Sequence, residues 1–203
     1  MAFHHSPRIV TDGLVLYLDA ANSKSYPGSG TNWYDLSGNK NDFVIDNNGF
    51  AYSGGGYFSM SGGGITHTGM TTNSLTATCV FWIKTTDNQS LFWTADPNSS
   101  AYFLGAYRVG SKFYNSRIGS PTFHMDCSQK TNIYDYLLDN NWHMVEFKSC
   151  NFLTNPWNML YFSKYGSYTF TDGAISTIMI YDKNLTSSES LQNYNSIKGR
   201  FGL

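Results

Sequence analysis

Charged side chains are scarce in this 203-residue chain: only 13% of its residues are Asp, Glu, Lys or Arg, and only two are Glu. Thirteen basic and fourteen acidic residues give a net charge of −1, and no cluster of Lys or Arg exceeds an isolated pair. A surface that tracks phosphates needs clustered positive charge, so we predict no nucleic-acid partner. The apolar runs are far shorter than the roughly 20 residues that span a bilayer, so we also predict no membrane partner.

Cysteine is rare as well. Cys79, Cys127 and Cys150 are odd in number, and no two have C-x-x-C spacing, so neither a disulfide framework nor a thiolate zinc site is predicted. Cys79 is instead expected to be a small core residue. The opening residues, MAFHHSPRIVTDG, lack the apolar core of a signal peptide, so we expect synthesis and folding in a reducing cytosol.

Gly, Tyr and Phe are abundant, with 19, 15 and 14 copies, a mixture that favours many short strands joined by tight turns. All-β sandwiches of this length are routinely one domain. Residues 1–12 lack strand periodicity and contain Pro7. We therefore predict an extended N-terminal arm over residues 1–12 and a single domain over residues 13–203.

Two segments predict strands with different surroundings. From Ala174 to Tyr181 both alternate sets of side chains are largely apolar, so this strand is expected to be central and covered on both faces. Residues 75–84 alternate strictly, which predicts one core face and one partly solvated face. The predicted core set is Leu75, Ala77, Cys79, Phe81 and Ile83.

Asn48-Gly49 is a strong hairpin dipeptide, and it predicts that the strands on either side of it pair.

The C-terminal segment predicts a short helix directly after the central strand. Thr186 and Glu189 have capping-box spacing, in which a hydroxyl and a carboxylate each satisfy a backbone N–H, so the helix begins near Ser187. Gly199 is predicted to end it. The apolar stripe expected to face the sheet is Leu191, Tyr194 and Ile197. Numerous short strands with no intervening helix predict an all-β fold, a two-sheet antiparallel sandwich or jelly roll with one C-terminal helix.

Several segments, in order, resemble the laminin-G-like jelly rolls of the concanavalin A-like lectin and glucanase superfamily. They are GLVLYLDAAN, WYDLSGNKND, GGGYFSMSG, LTATCVFWIKT, WHMVEF and the C-terminal DGAISTIMIYDKNLTSSESLQNYNSIKGRFG. The opening IVTDGLVLYLDAAN and the ending LQNYNSIKGRFGL are similar to domains of tailed-bacteriophage virion structural proteins. The resemblance implies a jelly-roll fold and a place on a virion whose proteins are made in the host cytoplasm.

The chain lacks an obvious catalytic constellation. Glycosidases flank one bond with two nearby carboxylates, but Glu189 is assigned to the helix cap and Glu146 has no acidic residue two places away. The histidines have no spacing typical of a transition-metal site. We therefore predict a protein that is not an enzyme and has no cofactor. Calcium stays open because Asp46-Asn47-Asn48-Gly49 has suitable oxygen atoms, although a plain hairpin turn explains that segment better.

Three functions are compatible with these observations. The preferred hypothesis is a non-enzymatic virion structural protein, a capsid decoration or a fibre-associated accessory subunit that contacts other virion proteins or its own copies. Its assembly arm would use Phe3, His4, His5 and Arg8. The alternative is a carbohydrate-binding adhesion module for host-surface glycans, since aromatic faces stack on sugar rings. Its candidate residues are Tyr26, Trp33, Tyr107 and Trp157. The third hypothesis is a glycoside hydrolase that depends on Glu146.

Overall fold

The computed structural model describes residues 8–46, 49–61, 64–66, 74–86, 93–94, 105–106, 113–114, 121–131, 137–152, 160–161, 164–165, 168–169 and 172–203. The longer strands are β1 (Leu14–Asp19), β3 (Phe43–Asp46), β4 (Phe50–Tyr52), β5 (Phe58–Met60), β6 (Gly64–Thr66), β7 (Ala77–Thr85), β11 (Thr122–Met125), β12 (Ser128–Lys130), β13 (His143–Cys150) and β17 (Gly173–Tyr181). The two-residue strands are β2 (Asn32–Trp33), β8 (Trp93–Thr94), β9 (Gly105–Ala106), β10 (Phe113–Tyr114), β14 (Leu160–Tyr161), β15 (Lys164–Tyr165) and β16 (Tyr168–Thr169). Helix α1 (Ser187–Ile197) and the 3-10 helix η1 (Lys198–Phe201) follow.

Strand β17 is the centre of the larger sheet, whose order is β12-β11-β13-β7-β17-β5-β4. It pairs antiparallel with β7 on one edge. On the other edge it pairs with β5 through residues 173–175 and with β1 through residues 177–181. Both faces of β17 are buried, because Ile178 and Ile180 pack into one core cluster and Met179 and Tyr181 into the other. The prediction of a central strand is confirmed.

A smaller sheet, β2-β3-β6, supplies the second layer, and every pairing within both sheets is antiparallel. The two-sheet sandwich with one short C-terminal helix is therefore confirmed. Side chains from both sheets form one buried core cluster, in which Cys79 is a free thiol as expected. Its members include Leu16, Leu18, Trp33, Phe43, Ile45, Phe58, Ile65, Phe81, Val145, Phe147, Ile178 and Ile180.

The outer face of the larger sheet is covered by α1, and it carries a second buried cluster that includes Val80, Trp82 and Tyr181. The predicted partial solvation of this face is therefore wrong over most of β7, where only Lys84 is half-buried. Leu75, which was expected in the core, precedes β7 and is 55% exposed. Alternation gave the correct two faces, but it carried no information about the helix that covers one of them.

Helix α1 begins as predicted: the Thr186 hydroxyl accepts from the Glu189 backbone N–H, and the Glu189 carboxylate accepts from the Thr186 N–H. The apolar stripe is partly wrong, because Leu191 is 50% exposed. Tyr194 and Ile197 do pack against the sheet, and the fully buried residues of the helix are Ser190, Asn193 and Ile197. Buried polar side chains on this face are satisfied by hydrogen bonds, so hydrophobic periodicity does not reveal them. The chain continues past the predicted end at Gly199 as η1.

The predicted hairpin at Asn48-Gly49 is also wrong. Strand β3 pairs with β2 and β6 in the smaller sheet, whereas β4 pairs with β5 in the larger one. Phe43 and Phe50 consequently enter the same core from opposite layers. Strands β3 and β4 therefore belong to different sheets, and residues 47–48 lie outside the described part of the chain.

The described part of the N-terminal arm lies on α1 of its own domain. Val10 is 5% exposed, its backbone N–H donates to Asn193 Oδ1 (2.8 Å), and its carbonyl accepts from the Tyr181 hydroxyl (3.0 Å). The exposed Arg8 contributes its carbonyl, which accepts from Gln192 Nε2. Phe3, His4 and His5 lie outside the described residues, so their assembly role stays a prediction. No helix among the described residues is long and apolar enough to cross a membrane.

Candidate functional site

Two of the predicted sugar-stacking residues belong to the core instead. Trp33 has no exposed surface and lies 4.8 Å from the Phe58 ring, centroid to centroid. Tyr26 is 6% exposed, and its hydroxyl donates to the Gly30 carbonyl (3.1 Å). Neither ring has a free face for a sugar, which corrects that part of the prediction. Short turn-rich flanks suggested loop positions, but these aromatic rings fill the space between the two sheets. Tyr107 and Trp157 lie outside the described residues.

Glu146, the residue on which the hydrolase hypothesis depends, is fully buried between the larger sheet and α1. Neither carboxylate oxygen accepts a well-formed hydrogen bond. Burial raises the pKa of Glu146, although the nearby Lys148 ammonium and Ser190 hydroxyl oppose that shift. The Lys148 ammonium itself donates to Ser190 Oγ (2.7 Å) and to the Leu185 carbonyl (3.1 Å). A polysaccharide does not reach a carboxylate in this position.

Five aromatic rings form a continuous row on the outer face of the larger sheet, and we call them the aromatic row. They are Tyr57, Trp142, Phe201, Trp82 and Tyr194. Trp142 stacks on Phe201 with 4.3 Å between ring centroids, Phe201 on Trp82 with 5.0 Å, and Trp82 on Tyr194 with 5.6 Å. Tyr57 meets Trp142 edge to face at 5.4 Å. Trp82 is buried, and the other four rings are half-buried.

Strand register explains why these rings meet. Trp82 pairs with Met144 on β13 and with Thr177 on β17, and these residues share the outer face. Trp142 directly precedes β13 and comes two residues before Met144, so it lies on the same face as Met144. Tyr57 directly precedes β5, the third strand from β13 in the sheet order. Ala174 on β17 is the register partner of Lys84 on β7 and of Ser59 on β5.

The backbone before Tyr57 is fixed by Gly56. This glycine has φ +77°, and its carbonyl accepts from Ser176 Oγ (2.8 Å). A Cβ at this position would lie 2.7 Å from the Ala21 Cβ. The conformation and the close approach both require glycine, which holds Tyr57 at the start of β5.

A hydrogen-bonded turn holds Trp142. Asp139 Oδ1 accepts from the Asn141 backbone N–H (2.8 Å), and Asp139 Oδ2 accepts from Asn141 Nδ2 (2.9 Å). Asn140 has φ +61°, and its N–H donates to the Thr85 carbonyl at the end of β7. The turn is therefore attached to the neighbouring strand, and Trp142 leaves it in a defined direction.

His143, next to Trp142, lies between two carboxylates. Its Nδ1 is 2.6 Å from Asp126 Oδ2, and its Nε2 is 3.1 Å from Asp139 Oδ1. Burial alone would lower the pKa of His143, but the hydrogen bonds and charges of Asp126 and Asp139 outweigh burial and raise it. The two nitrogens point to different carboxylates, so the group does not converge on a metal. Among the residues described, no cluster of His, Cys, Asp or Glu is arranged to hold a metal ion.

Phe201, in the middle of the row, is anchored by a partly buried ion pair. Asp19 has no exposed surface, and its two oxygens accept from Arg200 Nη1 (2.7 Å) and Nη2 (2.8 Å). The Tyr17 hydroxyl and the Ala21 N–H donate to the same carboxylate. This bidentate geometry fixes η1 across the outer face of the sheet and with it the adjacent Phe201.

The exposed end of the aromatic row carries an unpaired cation. Lys84 Nζ lies 5.5 Å from the Tyr57 ring centroid and 5.6 Å from the Trp142 centroid, so the ammonium faces both rings. Lys84 is half-buried and makes no ion pair within the described part of the chain. We call Tyr57, Lys84 and Trp142, each of which is partly exposed to solvent, the exposed end. Sugar-binding surfaces commonly combine flat aromatic surface with a few fixed polar groups, and this arrangement does the same.

Sequence reasoning missed this site. Tyr57 and Trp142 lie in the segments GGGYFSMSG and WHMVEF, which predict only the fold, and Lys84 ends the alternating run of residues 75–84. The alternation of β7 did place Trp82 and Lys84 on one face, which was the available signal. Nothing in the sequence brought the strands of Tyr57 and Trp142 to the same end of the sheet.

Comparison with known proteins shows the fold alone. No protein-family description matches the chain, and no curated protein matches it. Among solved structures, the chain is similar to the binding domain of botulinum neurotoxin serotype D, with a TM-score of 0.59, 14% identity, and coverage of 93% of this chain and 53% of that one. The serotype D ligand binding domain in complex with N-acetylneuraminic acid matches with a TM-score of 0.56 and 14% identity over 93% of this chain and 52% of that one.

Trypanosoma rangeli sialidase matches with a TM-score of 0.54 and 14% identity over 93% of this chain and 33% of that one. The chain thus spans about half the length of the neurotoxin domains and a third of the sialidase. At this identity the likeness establishes a β-sandwich of the jelly-roll type. Binding domains and an enzyme share it, so the fold does not decide between those classes.

Proposed function

We propose that this chain is a glycan-binding module whose ligand lies against the exposed end, Tyr57, Lys84 and Trp142. The observation that carries the proposal is the aromatic row: stacked rings that end at the surface beside an unpaired ammonium. Aromatic rings offer sugars a rigid apolar surface at small conformational cost, and an ammonium orients the ligand by hydrogen bonding.

Preorganisation supports the proposal. Trp142 is held by the Asp139 turn and by stacking on Phe201, and Tyr57 is held by the close packing of Gly56 on Ala21. Side chains that are fixed before binding lose little entropy when a ligand arrives. Likeness to domains described as binding domains, one of them in complex with N-acetylneuraminic acid, supports the class of function.

A glycan array probed with the wild-type chain, the Tyr57→Ala variant and the Tyr34→Ala variant tests the proposal. Tyr34 is 40% exposed and lies outside the aromatic row, so it controls for the loss of an exposed tyrosine ring. We expect specific binding by the wild type and by Tyr34→Ala, and reduced binding by Tyr57→Ala. Binding that is equal for all three proteins, or no binding to any glycan, would refute it.

The virion hypothesis remains a proposal that rests on the sequence resemblance. Attachment of a virion to host glycans would satisfy both hypotheses, because a virion subunit can carry a glycan-binding face. Co-purification of the chain with particles, and its loss from particles when residues 1–12 are deleted, tests the virion hypothesis separately. We do not propose hydrolysis, since Glu146 is buried beneath α1.

A further inference from the structure

We infer that the exposed end selects glycans that carry an anionic substituent, a carboxylate or a sulfate, and that Lys84 is the residue that selects them. The inference rests on the proposed function and names its ligand class. Lys84 is a compact positive charge, which suits contact with a single oxyanion better than the bidentate geometry of arginine.

The first observation behind the inference is that Lys84 has no partner of opposite charge within the part of the chain that the structure describes. Two other lysines do have polar partners. Lys183 forms ion pairs with Asp12 and Glu189, and Lys148 donates to the Ser190 hydroxyl and the Leu185 carbonyl. Among the described residues, the recorded contacts of the Lys84 ammonium are with the Tyr57 and Trp142 rings. No carboxylate of the described residues pairs with it, so an incoming oxyanion competes with none of them for this charge.

The second observation is the position of the charge. Lys84 pairs with Ala174, and its ammonium faces the adjoining Tyr57 and Trp142 rings from one side, 5.5 Å and 5.6 Å from their centroids. A sugar ring on either aromatic surface therefore brings its substituents within reach of the ammonium. A neutral hydroxyl would also bind there, but hydrogen bonds to charged partners are about twice as strong as neutral ones.

The acidic residue Asp172 provides a sensitive control. Asp172 directly precedes β17, whose Gly173 pairs with Thr85, and its carboxylate accepts from the Thr86 hydroxyl. Asp172 makes no ion pair with Lys84. Its negative charge nevertheless opposes an anionic ligand, and the Asp172→Asn change removes that charge while keeping an acceptor for Thr86.

The test uses matched pairs of oligosaccharides that differ only in the anionic group: uronic-acid chains with their carboxyl-reduced forms, sialylated chains with their desialylated forms, and sulfated chains with their desulfated forms. Affinities are measured for the wild type, Lys84→Met, Lys84→Arg and Asp172→Asn. We expect the wild type to prefer one class of anionic member about tenfold, a preference that Lys84→Met abolishes and Lys84→Arg largely keeps. Asp172→Asn should strengthen anionic binding, and rising salt should weaken it.

The outcomes separate the two levels of the proposal. Equal affinity for both members of every pair, with binding still dependent on Tyr57, overturns the Lys84 inference and leaves glycan binding intact. An anionic preference that survives Lys84→Met also overturns the inference. No binding to any member of the panel overturns the proposed function. Lys84→Met keeps the apolar stem of the side chain, and its thermal unfolding is expected to match the wild type, so a folding defect does not imitate the result.

Discussion

Replacing Asp19 by Asn is expected to destabilise the protein strongly, although the change removes only a charge. The Asp19 carboxylate accepts four hydrogen bonds, two from Arg200, one from the Tyr17 hydroxyl and one from the Ala21 N–H. An asparagine side chain has one acceptor oxygen, so its NH₂ group must face donors. The asparagine NH₂ group would then face the N–H and O–H donors of the neighbouring residues, in a site with no exposed surface.

The magnitude follows from the burial of the pair. Breaking a buried ion pair costs about 3–5 kcal/mol. The Arg200 side chain is 37% exposed and regains water when it is released, which places the expected loss near the lower end, about 3 kcal/mol. For a chain of this length each kcal/mol lowers the unfolding temperature by about 2–4 °C, so we expect a decrease of roughly 6–12 °C.

Thermal and urea unfolding of the wild type, Asp19→Asn, Arg200→Gln and the double variant measure this coupling directly. The account predicts a coupling energy of at least about 1.5 kcal/mol between the two positions. Asp12→Asn, at an exposed aspartate that contacts Lys183, is the control and should unfold within about 1 °C of the wild type. A loss below about 1 kcal/mol for Asp19→Asn, or additive single changes, would refute the assigned anchoring role.

Three further predictions concern the ends of the chain and the histidine beside Trp142. Asp126 and Asp139 raise the pKa of His143 above 6.5. The protonated His143 therefore stabilises the fold fully below that pH, and this contribution is lost as the pH rises through the folded-state pKa. In thermal melts, the stability advantage of the wild type over His143→Gln should shrink between about pH 6 and 8.5. Thr186→Ala removes the α1 cap and should cost about 1 kcal/mol in urea unfolding, whereas Thr186→Ser should cost much less. Val10→Ala removes buried surface beneath the arm and should cost about 1–2 kcal/mol; an unchanged midpoint would contradict the docking of the arm on α1.

The sequence supported predictions wherever a local pattern carried the information. The apolar run from Ala174 to Tyr181 predicted a central strand, and the spacing of Thr186 and Glu189 predicted the start of α1. The helix start depends on contacts within a few residues, and the central strand is recognised by the burial of its whole length. The same reasoning failed at Leu191, because the buried face of α1 uses Ser190 and Asn193, whose hydrogen bonds come from distant parts of the chain.

The candidate site was out of reach for a related reason. Tyr57, Lys84 and Trp142 come from three separate segments, and only the strand order β13-β7-β17-β5 brings them together. Abundant aromatic residues gave many equivalent candidates, and those chosen for their turn-rich flanks, Tyr26 and Trp33, fill the core. Short sequence patterns report burial and turns, but strand order depends on the packing of the entire sandwich.

The central claim, that the aromatic row binds a glycan, is tested most directly by calorimetric titration of a glycan selected on the array into wild type and Trp142→Ala. Trp142 makes the ring contacts to both Tyr57 and Phe201, so its removal should weaken binding by about 30-fold or more, as expected for a dominant aromatic contact. Tyr34→Ala should bind like the wild type. A folded Trp142→Ala variant that binds the glycan with wild-type affinity would contradict the account.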